Sequence, residues 1–71
     1  MSHEVAIKVL EDELELTNDI LNYYEGNRLK LKAQGFSITD PSYRHWAVNK
    51  AKLMVKQMQL QHTISYLRDE E

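Results

Sequence analysis

The sequence predicts an all-α protein: an antiparallel two-helix hairpin that dimerises into a four-helix bundle. Three observations carry that expectation. Two long stretches repeat apolar residues at helical spacing, a Gly35 to Asp40-Pro41 segment punctuates them, and the apolar set exceeds what one hairpin can cover. The 71 residues suffice for a single helical-hairpin domain over 1–71. A chain of this size buries only about 60% of the surface its unfolded form exposes, and small chains without disulfides or metals commonly make up the deficit by oligomerising.

The first helix is expected over about 4–34. Ile7, Leu10, Leu14, Thr17, Leu21, Tyr24, Arg28 and Leu31 follow a 3-4 spacing, a heptad pattern with two polar intrusions. Val9, Leu16, Ile20 and Tyr23 flank it, while Lys8, Glu11, Asp12, Glu15, Asn18, Asp19, Asn22 and Glu25 occupy the opposite arc. Gly26 falls on that solvent side, where it bends the helix at most, at about 1 kcal/mol relative to alanine.

Gly35 stands where a left-handed residue would end the helix, with Phe36 placed to contact Leu31. Asp40 is an N-cap residue followed by proline at the first helical position. Residues 35–40 are therefore a loop, and a second helix runs over about 41–68. A short loop between helices of matched length implies antiparallel packing.

The second helix carries two apolar stripes. Trp46, Leu53, Leu60, Ile64 and Leu67 form one; Tyr43, Ala47, Val48, Ala51, Met54, Val55, Met58 and Tyr66 form the other, with Lys50, Gln57, Gln61 and Arg68 as a polar seam between them. A helix with two apolar faces packs on two neighbours, one of them helix 1 and the other from a second chain. The expected oligomer or partner interface is Tyr43, Trp46, Leu53, Leu60, Ile64 and Leu67, large apolar and aromatic residues of the kind that anchor interfaces.

Charge is unevenly spread. Residues 1–25 hold seven acids against Lys8, residues 26–67 hold seven bases against Asp40, and the end is again acidic. Folding as a hairpin would gather Arg28, Lys30, Lys32, Arg44, Lys50 and Lys52 near the loop as a patch for an anionic partner, and the acids at the open end. That order suits the dipole of helix 1 and opposes that of helix 2, so two hairpins placed head to tail would match basic end to acidic end.

No catalytic, cofactor-binding or metal-binding set emerges. His3, His45 and His62 are far apart and no HExxH or Glu-x-x-His pair accompanies them; a hairpin puts His62 near the level of Glu13 as a structural pair. Glu11, Asp12, Glu13 and Glu15 read as a solvated face, Ser2, Ser37, Ser42 and Ser65 lack a nucleophile context, and two glycines cannot write a phosphate-cradling loop. The absence of cysteine removes disulfides and thiolate chemistry and is compatible with a cytoplasmic location. With no signal peptide or membrane span expected, no membrane is among the partners.

The expected function is non-enzymatic: a small helical interaction or regulatory protein that oligomerises, at least as a homodimer, and binds another protein. It is similar in kind, though not residue by residue, to small bacterial and phage accessory proteins, including inhibitors of host or defence machinery. Two alternatives stand beside it. One is a nucleic-acid-associated dimer using the basic loop end with Tyr43 or Trp46 stacking on bases, against which the pI of 5.9 weighs. The other is a structural subunit of a larger assembly.

Overall fold

Two α-helices, α1 (Glu4–Ala33) and α2 (Pro41–Asp69), account for nearly all of the chain. They lie side by side and antiparallel in the computed structural model, which describes residues 3–35, 37 and 39–70. The molecule is a rod, 54 × 16 × 12 Å along its principal axes. α1 stops one residue short of the expected end and α2 continues one residue further. The chain is thus the all-α helical hairpin that its spacing predicts.

Heptad spacing explains the pairing. On α1, Ile7, Leu14, Leu21 and Arg28 take the a positions and Leu10, Thr17, Tyr24 and Leu31 the d positions; on α2, Lys50, Gln57 and Ile64 are a, and Trp46, Leu53, Leu60 and Leu67 are d. Every one of these fifteen positions is buried or half-buried. Among the described residues Ile7, Trp46 and Ile64 are the buried apolar ones, and Thr17, at 1% exposure, is covered most completely. Its hydroxyl donates to the Glu13 carbonyl oxygen one turn back, at 2.8 Å. A polar residue is thereby buried without an orphaned group.

The seam changes character along its length. Toward the open end it is aliphatic: Ile7, Leu10 and Leu14 beside Leu60, Ile64 and Leu67. Toward the loop it is aromatic and charged. The Trp46 indole Nε1–H donates to the Tyr24 carbonyl at 2.8 Å, its ring stands 6.4 Å from that of Tyr24 and 5.4 Å from that of Tyr43, and the Lys50 ammonium sits 5.2 Å from the indole centroid.

Lys50 and Gln57 correct the expected pattern. Both were expected in a polar strip between two stripes, yet both fall in line with the inner row, Lys50 reaching Glu25 at 2.9 Å and the Gln57 amide donating to Asn18 at 2.6 Å. A long stem covers the seam while its polar tip finds a partner at the rim, so hydropathy alone places such residues outside. Gln61 and Arg68 are exposed.

Gly35 has φ 83°, the left-handed conformation expected of it, and its N–H donates to the Lys32 carbonyl at 3.1 Å. The expected Phe36 contact with Leu31 lies outside the described residues. Asp40 precedes Pro41 in an extended conformation as an N-cap residue should, but its carboxylate makes no cap bond to α2. It accepts instead from the Ser37 N–H at 2.7 Å, bracing the loop from behind. α1 passes through Gly26 without a break.

Candidate interaction surfaces

Ion pairs along the rims fix which side of each helix is which. In an antiparallel pair, g positions of the two helices share one rim and e positions the other. Glu13 (g) pairs with Lys56 (g), and Glu11 (e) with Arg68 (e) at 3.0 Å. His3 reaches Glu70 at 3.2 Å, linking the start of α1 to the end of α2 across the open end of the hairpin.

The expected interface residues Tyr43, Trp46, Leu53, Leu60, Ile64 and Leu67 all lie on the side of α2 that faces α1, buried or half-buried. The physical reason is bulk: this row holds the tryptophan and the leucines, whose burial removes most apolar surface from water. The stripe that stays open to solvent on α2 is therefore the second one. Val48, Met54, Val55, Met58 and Tyr66 are all about half exposed or more, Met58 at 66%. Val48, Ala51, Val55 and Met58 take f and b positions, with Met54 and Ala47 at e, so this stripe leans to the Glu11–Arg68 rim, Tyr66 at c excepted.

α1 has its own outer stripe. Val9, Leu16 and Tyr23 recur every seven residues at c, with Tyr23 69% exposed, and half-buried Ile20 lies at g. These positions lean to the Glu13–Lys56 rim. The two outer stripes consequently occupy opposite sides of the hairpin. No hydropathy count reveals that; it follows from the rim pairs, which the heptad letters could have supplied.

The six loop-end bases are divided. Glu25 takes two of them, Arg28 at 2.7 Å and Lys50 at 2.9 Å, and those hydrogen bonds, Lys50's foremost, hold its carboxyl below the usual carboxylate range. Lys30, Lys32, Arg44 and Lys52 have no ion pair among the described residues. Lys30 and Lys32, two residues apart, project to different sides of α1 at about 100° per residue, and Arg44 lies at b on the outer side of α2. Sequence reasoning counted Glu25 with the acidic half; as the last acid of that block it stands among the bases.

The expected level pairing of His62 with Glu13 does not form. Glu13 bonds Lys56, while His62 sits at f, directed away from the seam, where it lines a shallow depression with Met58, Gln59, Gln61 and Ser65. His45 contacts Asn49 at 3.1 Å on an exposed turn. At the open end, the Lys8 ammonium bonds Asp12 at 3.1 Å, which raises its pKa.

Among the described residues, no group of three or more His, Cys, Asp or Glu side chains is arranged to hold a metal ion, and no helix is long and apolar enough to cross a membrane. Comparison with protein-family models, with curated proteins and with solved structures found no match to this chain.

Proposed function

We propose that this chain is a non-enzymatic, cytoplasmic interaction module of regulatory type, which associates with itself and docks another protein through the outer faces of its helices. The observation that carries this reading is the row of exposed valine, leucine, methionine and tyrosine side chains on each helix, set at helical spacing on the side away from the buried seam. Contiguous exposed apolar rows on small proteins mark association surfaces. A helix face of this pattern is the form that helix-in-groove and coiled-coil recognition uses.

The loop-end bases support a nucleic-acid partner less well, since Glu25 engages two of the six and cancels one of their charges, and the remainder diverge. The two readings separate in one experiment. Tagged chain should recover one stoichiometric protein from source-cell lysate, and Leu16→Glu or Tyr23→Glu, both on exposed α1 positions, should lose it while keeping full helicity. Recovery of nucleic acid whose binding falls steeply between low and moderate salt would overturn the proposal in favour of the anionic partner. Recovery of further copies of the chain alone would favour a structural subunit.

A further inference from the structure

We infer that the outer face of α2 is the self-association surface and that its occupant is α2 of a second copy, lying antiparallel in a register that sets Val55 against the partner subunit's Met58. The inference rests on the reading of the chain as self-associating; it adds the face, the direction and the register.

Four features of α2 converge on it. Val48, Ala51, Val55, Met58, His62 and Ser65 alternate steps of three and four, a second coiled-coil row behind the first. That row is symmetric about its centre between Val55 and Met58, so a two-fold axis there pairs Ala51 with the partner subunit's His62 and Val48 with the partner subunit's Ser65. An isologous contact needs this self-complementarity.

The second feature is the depression on this face. Met58, Gln61, His62 and Ser65, four of its five lining residues, are spaced i, i+3, i+4, i+7, the four corners of the hole that receives a knob from a facing helix. In the stated register the knob is the partner subunit's Ala51, small enough for a close approach of the two backbones.

Charge supplies the third and fourth. Arg44 stands at b just before the row and Asp69 at f just after it, and neither has an ion pair among the described residues, whereas Lys50, Lys56 and Arg68 are all taken by α1. The same register sets Arg44 against the partner subunit's Asp69, twice per dimer. In the lone hairpin both charges oppose their helix dipole: α2 has no acid in its first turn and a base close behind it, and an acid at its C-terminal end. An antiparallel partner offsets both. The outer row of α1 lacks this complementarity, because Asp12 and Asp19 fall between Val9, Leu16 and Tyr23, and α1 against α1 would set acid against acid.

Sedimentation equilibrium and directed cross-linking test this on the intact chain. Met58→Glu and Val55→Glu should shift the protein to monomer with its helical circular dichroism unchanged, and Leu16→Glu should leave the dimer intact. Since the chain has no cysteine, Val48→Cys chains mixed with Ser65→Cys chains should form the mixed disulfide, while Val48→Cys chains alone should not, their thiols lying about 25 Å apart at about 1.5 Å per residue. Arg44→Asp and Asp69→Arg should each weaken the dimer about 3- to 30-fold, and the double exchange should restore it. A dimer that survives Met58→Glu but not Leu16→Glu, or Val48→Cys chains that cross-link to themselves, would overturn the inference while leaving the self-association reading in place. A wild-type chain that stays monomeric up to millimolar concentration would end both.

Discussion

The two faces of α2 are alike in spacing and opposite in fate. The inner row, Trp46, Lys50, Leu53, Gln57, Leu60, Ile64 and Leu67, carries two polar members, as does the outer row of Val48, Ala51, Val55, Met58, His62 and Ser65, yet α1 covers only the inner one and the outer one stays open to solvent. Bulk and reach decide between them. A tryptophan and three leucines remove more surface from water than alanine and valine can, and the polar members of the inner row find Glu25 and Asn18 across the rim. A stripe's mean hydropathy is therefore a poor guide to which neighbour it meets.

The sharpest way to break that contrast is to truncate one side chain on each face. Trp46→Ala removes a buried indole and its hydrogen bond and should cost about 3–5 kcal/mol, leaving little of so small a fold at room temperature. Met58→Ala, measured at concentrations low enough to keep the chain monomeric, should stay within about 0.5 kcal/mol of wild type. Urea melts followed by circular dichroism at 222 nm give both values. Similar losses for the two would mean that the faces have been assigned in reverse.

Gly26 belongs to neither face and calibrates the scale. It is exposed, within a continuous helix, and a Cβ there would meet nothing within 4 Å, so Gly26→Ala should stabilise the hairpin by about 1 kcal/mol. A destabilised variant would show that α1 needs flexibility at this point. Within the seam, Thr17→Val should change stability by less than about 0.5 kcal/mol, because the hydroxyl's one partner among the described residues is a carbonyl of its own helix. A loss well beyond that in the same melts would reveal a partner for the hydroxyl across the seam.

The smallest effect expected is electrostatic. Because Lys50 and Arg28 hold the Glu25 carboxyl below its ordinary range, the stabilisation is fully present above the unfolded-state pKa and is lost as pH falls through the lower folded value. Wild type should therefore exceed Glu25→Gln in melting temperature at neutral pH, and the two curves should converge on acidification. Curves that remain parallel down to strongly acidic pH would remove Glu25 from the account of the loop end.

Much of the fold was legible because local rules agreed. The 3-4 spacing set both helices within a residue of their ends, and Gly35 and Pro41 marked the turn by backbone geometry that few other residues allow. Neither spacing nor composition carries information on which of two stripes on α2 meets α1. The amphipathic residues add to the ambiguity: Lys50 scores as surface while lying over the Trp46 ring. Charge was misjudged for a related reason, since a hairpin juxtaposes residues by level, and Glu25 belongs with Lys50 although the sequence sets it with the acids before it. Asp40 occupied the expected N-cap position, but a carboxylate has several N–H groups within reach, and the loop's Ser37 took it.

The placement of the two outer stripes on opposite sides of the rod would set a valency for the proposed dimer. Pairing through α2 as proposed would consume none of Val9, Leu16, Ile20 or Tyr23, so such a dimer would keep two identical outer edges related by its two-fold axis. A client with one matching groove would bind two per dimer without competition between the sites. A client that is itself dimeric would gain avidity from the second contact, an increase of about 100- to 10,000-fold over the single-site affinity when the spacing allows both to engage. The same arrangement would make the proposed dimer a cross-linker, with its reach fixed by the separation of the two α1 helices.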